Sequence, residues 1–430
     1  MSITNIKSLA KIGKDKTEKE KVDLRRAYVE EKTGVTFDST GHFSINPACV
    51  AGKNCENMIG ATQIPLGIAG PLILNKLKTY KHPTQGSSTQ GSSTREPPTQ
   101  EPLNQKTMRE YFIPLATTEG ALVASVSRGC KATRLSGGIT TKVEHVGISR
   151  APVFSVKNLA QAEKLITWIN KKFAQIKEIA DATSAHIQLL SITPFLSGKY
   201  VFLRCVYNTH EAMGMNMATI ATQQIVHLIK EKLNINCISL SGNMCVDKKP
   251  CWLNFIAGRG NKVWAETIIK KDIVQNTLKT TSEKIVEVVQ SKNMLGSQMS
   301  GSLGFNAHYA NIIAALFIAT GQDPAHIVEG SMGVTTAQVE ADGNLYFSVY
   351  LPAVIIGTVG GGTGLNTQKE ALNLLGLSNG KTGEALELAH IVSGAVLAGE
   401  LSLIAALAEN HLVQAHETLG RNKKNIGKLK

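Results

Sequence analysis

Residues 241–250, SGNMCVDKKP, set Asp247, Lys248 and Lys249 on consecutive positions behind a Ser-Gly-Asn turn and ahead of Pro250. Three charges in a row on an irregular backbone cannot share one direction, so some must be held by partners. A lysine fixed by neighbouring acids stabilises an oxyanion, and the charges beside it bind an anionic substrate. Taken alone, Asp-Lys-Lys is more often a solvated turn than a site. The flanking SGN and proline specify a restricted loop rather than a helix face.

Other contexts carry groups able to move protons or hold anions. Glu119, in PLATTEG, lies near the start of a helical pattern that a threonine caps. Asp323 precedes Pro324 in GQDPA, the pattern of an N-cap with proline at the first helical position. His416 ends an apolar helix ahead of Arg421, where it serves the helix dipole or donates a proton. His308 and Asn311 stand at i and i+3, nearly on one face of a helix. In GTVGGGTG, Gly360, Gly361 and Gly362 free backbone N–H groups, and Thr367 with Glu370 forms a capping-box pattern, so this loop is a candidate cradle for a phosphate or dinucleotide. It is not G-x-G-x-x-G, which counts against an ordinary Rossmann fold.

The elements that must position these groups follow from pattern. The chain opens with a small helical segment over residues 1–55. A Gly/Pro-rich apolar stretch from Glu56 and a polar segment over 73–108, with QGSST written twice, come next, and the polar segment is expected to be a flexible insertion. Residues 144–240 read strand (151–156), helix (158 to about 179), two strands (186–195 and 199–207), helix (211–233) and strand (236–240), the split βαβ or ferredoxin-like order, and deliver the chain into SGNMCVDKKP. Residues 56–143 and 241–430 form a larger domain. The fold class is therefore α+β: a large mixed α/β domain with an inserted βαββαβ domain.

At 430 residues the chain is long enough for two or three domains. The longest apolar run, 391–408, carries Glu400 in its middle and reads as a buried helix rather than a membrane span. The charged N-terminus has no apolar core segment, and the expectation is a cytoplasmic protein with no membrane contact. Seven cysteines without C-x-x-C spacing indicate neither a zinc site nor a disulfide framework, and no metal is expected. A net charge of +13 with only 5% aromatics and no basic stripe argues against nucleic acid and suits small polyanionic ligands such as phosphorylated cofactors or acyl-CoA.

Taken together, ENMIG, PLATTEG, RGCKA, AMGMNM, SGNMCVDKKP, GFNAHYAN, GQDPA, GTVGGGTG, LAGELSL and HLVQAH resemble the 3-hydroxy-3-methylglutaryl-CoA (HMG-CoA) reductase family, from Glu56 to Arg421. DKKP and GMNM look more like its class I branch. The resemblance implies two successive hydride transfers from NADPH, reducing HMG-CoA to mevalonate and free CoA. It implies catalytic roles for Glu119, Lys248, Asp323 and His416: Lys248 polarises the thioester carbonyl, Glu119 donates a proton, Asp323 orders the network, and His416 protonates the departing thiolate. Substrate binding is implied for Ser125, Arg128, Lys142, Ser241, Asp247, Lys249, Lys292, His308 and Asn311. Cofactor binding is implied for Met213, Gly214, Met215, Asn216, Met217, Gln322, Gly360, Gly361, Gly362 and Thr363. It also implies a large domain built around a long central helix, and a homodimer or higher homo-oligomer with the active site between subunits.

Several positions depart from the animal enzymes. Lys142 stands where an arginine binds the substrate carboxylate, which keeps charge but loses bidentate geometry. Ser184-Ala185-His186 replaces a Ser-Arg-Phe stretch that contacts the adenosine phosphate, so NADH stays open beside NADPH. Glu211 replaces an aspartate, and residues 420–422 lack the serine that eukaryotic enzymes phosphorylate. NAD-dependent oxidation of mevalonate, an inactive CoA-binding relative and a basic nucleic-acid binder remain as alternatives.

Overall fold

The computed structural model describes residues 12–77, 108–377 and 379–409. Its strands are β1 Leu66–Lys76, β2 Arg109–Ala116, β3 Ile139–Arg150, β4 Val153–Ser155, β5 Gln188–Ser197, β6 Tyr200–Asn208, β7 Asn236–Ser239, β8 Gly260–Ile269, β9 Gly304–Phe305, β10 Gly333–Val339 and β11 Leu345–Val354. The sheet is mixed: β1 on β3 and β9 on β10 run parallel, and the other pairs are antiparallel.

Strand β3 belongs to both parts of the molecule. Its N-terminal half lies between β1 and β8, while Ile148, Ser149 and Arg150 pair with β6. The change of partner falls at Gly147, whose φ of 85° suits glycine and whose missing Cβ would meet the Tyr207 carbonyl at 2.6 Å. Beyond this point β7, β4, β6 and β5 lie side by side in that order, with helices Leu159–Lys171, Phe173–Asp181 and Met215–Leu233 between them in sequence. The expected helix over this region is split at Lys172, and the second starts at Met215 rather than Glu211 because Gly214 (φ 79°) sets its first turn.

The long apolar run is the helix Glu384–Ala408, buried at every residue from Leu388 to Ser402. By length and composition it is able to cross a membrane, yet 83% of its most apolar window is buried inside the structure. It packs on β1, β3, β8 and β11 and on helices Leu122–Leu135 and Tyr309–Thr320. Helix Leu122–Leu135 comes so close that a Cβ on Gly129 would meet the Ala398 carbonyl at 1.8 Å. Glu400 sits in the middle at 0% exposure and accepts hydrogen bonds from Ala307 N, His308 N, Asn293 Nδ2 and Thr335 Oγ1. It supplies the cap that helix Tyr309–Thr320 lacks from its own N-cap side chain.

Three further expectations need correction. β1 continues through Lys76, with Leu74 and Asn75 buried, so residues 73–76 belong to the sheet and not to an insertion; residues 78–107 lie outside the described residues. The helix after PLATTEG begins at Leu122 with Ala121 (φ 73°) as an uncapped N-cap, and Thr117 instead accepts from Glu119 N in a turn ahead of it. Thr367 and Glu370 do not form a capping box. The glycine turn Gly361–Gly364 feeds directly into helix Asn366–Leu374, so Thr367 falls inside its first turn and bonds Gln368.

Near the start of the central helix, Glu387 is paired with Lys76 at 2.5 Å and accepts from Tyr111 Oη, while His390 Nδ1 lies 2.8 Å from Thr141 Oγ1. Burial, aided by Lys76 and opposed by Glu387, pulls the His390 imidazole down from 6.5 to about 4. Between these values the unfolded chain binds a proton that the folded chain refuses, so stability falls as pH drops from 6.5 to 4 and this contribution is flat below. We expect His390→Asn to remove a pH-dependent loss of up to about 3 kcal/mol in that window, read from thermal melts at graded pH. Identical pH dependence in the variant would contradict the assignment.

Candidate active site

The loop of residues 241–250 leaves β7 and crosses to helix Trp252–Ala257 through a left-handed backbone at Asn243, Val246 and Lys248 (φ 64°, 46° and 57°). Lys248 Nζ lies 2.8 Å from Asp323 Oδ2, with both side chains part-exposed. Asp323 also caps the turn Pro324–His326, accepting from Ala325 N at 3.0 Å, so its capping and charge-holding roles coexist. Burial pushes the Asp323 carboxyl up, but the Lys248 hydrogen bond, the Ala325 N–H and nearby His326 together hold it below its ordinary value. A carboxylate that remains charged is what keeps an ammonium in place.

On the same loop Asp247 lies 2.9 Å from Arg259 Nη1. Lys249 is exposed, with Nζ 3.3 Å from the Asp247 carbonyl, and the Ser241 hydroxyl lies 3.5 Å from Cys245 Sγ. Ser125 and Arg128 meet on the central helix: Ser125 Oγ and Arg128 Nε both bond Ser402 Oγ at 2.9 Å, and Arg128 Nη2 reaches the Ser402 carbonyl. Burial lowers the Arg128 guanidinium from its ordinary value. Beside it opens a groove of about 660 Å³ lined by Arg128, Lys131, Arg134 and Lys279, with Ser127 and Asn276, and, among the described residues, by no carboxylate. Such a lining suits a phosphorylated ligand.

His308 is the N-cap of helix Tyr309–Thr320 rather than part of its face, and its Nε2 lies 2.9 Å from the Gly399 carbonyl; Asn311 N bonds the His308 carbonyl. Lys292 is exposed on the π-helical turn Val289–Gly296. Lys142 lies over the Trp264 ring at 5.1 Å, and Trp264 stacks on Tyr350, beside a cavity of about 300 Å³. Glu119 is exposed, and among the described residues no hydrogen bond or ion pair joins it to Lys248 or Asp323. His416 lies outside the described residues.

The two glycine-bearing cofactor segments adjoin. Thr358 N bonds the Glu211 carbonyl at 2.8 Å, Ala212 and Val359 form a bridge, and a Cβ on Gly357 would meet Met213 N at 2.4 Å. Gln322 pins this crossing with a reciprocal pair of 2.9 Å bonds to Gly357. Among the described residues a Cβ on Gly360 or Gly361 would meet nothing within 4 Å, which leaves space for a ligand over their backbone, and Thr363 Oγ1 bonds Gly360 O. Met213, Gly214, Asn216 and Met217 lie at the N-terminus of helix Met215–Leu233, which has no side-chain cap, while Met215 is buried. Ser184 Oγ lies 3.8 Å from Met217 Sδ, bringing the Ser-Ala-His stretch to the same place. An anionic cofactor fits this open glycine loop and uncapped helix start. The Glu211 carboxylate instead accepts from Gly383 N and Ala385 N, capping the central helix.

Residues that pattern reading missed are those touching the loop from below: Ser149, Arg204, Asn254, Arg259, His326 and Glu329, all buried. The visible signal was a charged residue inside an otherwise small or apolar context, as in GRG at Arg259.

The hydroxymethylglutaryl-coenzyme A reductase family profile matches residues 21–421. The chain is 48% identical over 405 residues to the 3-hydroxy-3-methylglutaryl-coenzyme A reductase of Methanocaldococcus jannaschii, covering 93% of this chain and 92% of that one. It is 45% identical over 405 residues to that of Pyrococcus abyssi, with the same coverage of each chain. The fold matches the class II reductase of Streptococcus pneumoniae, solved with NADPH in open conformations, at a TM-score of 0.61 and 19% identity, covering 92% of this chain and 98% of the other. The chain belongs to the hydroxymethylglutaryl-coenzyme A reductase family.

Proposed function

We propose that this chain is an HMG-CoA reductase that converts HMG-CoA to mevalonate and CoA with two NADPH. The observation that carries the reading is the Lys248–Asp323 pair, an ammonium held at 2.8 Å by a charged carboxylate at the end of a restricted loop. NADPH supplies a hydride to the substrate carbonyl carbon in each of two steps. Lys248 donates to the thioester oxygen and stabilises the oxyanion that the first hydride creates. Glu119 supplies its proton, giving a hemithioacetal. Its collapse returns the hydroxyl proton to Glu119, where it serves the second reduction, and breaks the C–S bond, with His416 protonating the departing thiolate. Lys248 then polarises the aldehyde, and the second alkoxide takes a proton to become the mevalonate hydroxyl. The sum is HMG-CoA, two NADPH and two protons to mevalonate, CoA and two NADP⁺.

The roles of the other residues are part of the same proposal. Arg128, with Lys131 beside it, faces the CoA phosphates, Lys142 the substrate carboxylate, and Ser241, Asp247, Lys249, Lys292, His308 and Asn311 the rest of the acyl-CoA. Residues 144–240 act as an inserted ferredoxin-like domain that binds the cofactor with the loop around Gly360. The absence of a direct bond from Glu119 to Lys248 among the described residues, and the exposed apolar side chains of Trp252 and Ile256 on one short helix, favour a homodimer in which a second copy completes the site. The setting is cytoplasmic.

Purified protein is expected to oxidise two NADPH per CoA released. Rates with NADPH and NADH in both directions decide the details. No turnover with either cofactor sinks the assignment, and faster NAD-linked oxidation of mevalonate replaces it with the catabolic direction.

A further inference from the structure

We propose that Arg259 and Glu329 are positioning residues for Lys248: a buried ion pair that holds the 241–250 loop in the backbone conformation that aims the ammonium. The proposal rests on the function above and deepens the same site. A left-handed backbone is disfavoured for residues with a Cβ, most of all for a β-branched one such as Val246. Three such residues, at 243, 246 and 248, persist only when their surroundings over-determine them.

Those surroundings are on the underside of the loop. Lys248 N donates to Glu329 Oε1 at 2.5 Å, Asn254 Nδ2 donates to the Val246 carbonyl at 3.0 Å, and Ser149 Oγ donates to the Cys245 carbonyl at 3.2 Å. Glu329 and Arg259 are both 0% exposed. Arg259 Nη1 donates to both Glu329 oxygens at 2.9 and 3.0 Å and lies 2.9 Å from Asp247 Oδ1, while its Nε bonds Ser149 Oγ at 3.0 Å. One guanidinium thus ties strand β3, the residue before Lys248, and the acid that holds the Lys248 backbone.

Asp247, His326 and Glu329 bring ligand atoms within 4.8 Å of one another, the spacing of a metal site. Arg259 fills the cationic position there, since Nη1 already contacts an oxygen of each carboxylate. His326 is buried, with neither ring nitrogen hydrogen-bonded among the described residues, 3.5 Å from Glu329 and 3.8 Å from Asp323. It packs between the acid beneath the loop and the acid on the Lys248 ammonium.

Glu329→Gln keeps the reach to Lys248 N and removes the charge that pairs with Arg259. In full-length protein, kcat per folded site is expected to fall about 100-fold with KM for HMG-CoA changed by no more than about threefold. Lys248 is also expected to react faster in limited reductive methylation mapped by peptide mass spectrometry, with Lys249 as the unchanged internal reference. Wild-type kcat together with unchanged Lys248 methylation in the folded variant overturns the proposal. Should Glu329→Gln fail to fold, Ser149→Ala carries the test, with about a tenfold loss of kcat expected and no change overturning it. A wild-type protein inactive on HMG-CoA defeats the function reading alone, because the methylation comparison still decides the positioning role.

Discussion

Lys248→Met is expected to lower reductive turnover about 1,000-fold or more, with the fold and cofactor binding intact. The side chain is 39% exposed and its recorded partner is Asp323, so removing the ammonium opens no cavity in either core. Asp323 keeps its bond from Ala325 N, and the loop keeps its bond from Lys248 N to Glu329, because that contact belongs to the backbone. The loss therefore falls on the step in which negative charge develops on the substrate oxygen. Lys248→Arg is not expected to restore the rate: a planar fork presents its charge differently from a point ammonium on a restricted loop. NADPH oxidation, measured beside thermal melting and cofactor titration, decides this. A rate within about tenfold of wild type in a folded Lys248→Met protein would remove the lysine from the chemistry.

Much of the architecture behind that lysine was legible, and the misses have local causes. The order of strands and helices over 151–240 followed from apolar alternation and turn residues, and β4 to β7 lie close to the expected stretches. Boundaries slipped where glycine or a positive φ sets the first turn, at Gly214 and at Ala121, since composition does not reveal which of several small residues takes the left-handed position. Lys248 and Asp323 were found through their motifs and do touch. Arg259 and Glu329 were not, although they grip the same loop, because their contacts span sequence separations of 70 and 81 residues. Ser402 escaped for the same reason: it meets Arg128 across 274 residues. Long-range polar contacts leave no periodic trace in a sequence, whereas a cap, an amphipathic face or a turn does.

Glu400→Leu is expected to destabilise the protein by roughly 3–5 kcal/mol, although it makes the apolar helix more uniformly apolar. The carboxylate accepts from two backbone N–H groups, at Ala307 and His308, and from Asn293 and Thr335, all at a site with 0% exposure for Glu400 itself. A leucine gains apolar contact but leaves these donors desolvated, and each orphaned donor costs about 1–3 kcal/mol. Glu400→Gln keeps one acceptor oxygen and turns an amide donor toward other donors, so an intermediate loss is expected. Function follows stability here, because the same contacts set His308 on the Gly399 carbonyl and start the helix that carries Asn311. Surviving folded variant should therefore show a raised KM for HMG-CoA before a lowered kcat. Differential scanning calorimetry and denaturant melts give the check: a Glu400→Leu protein melting within about 2 °C of wild type would show that the buried carboxylate is replaceable, and that the donors around it find other partners.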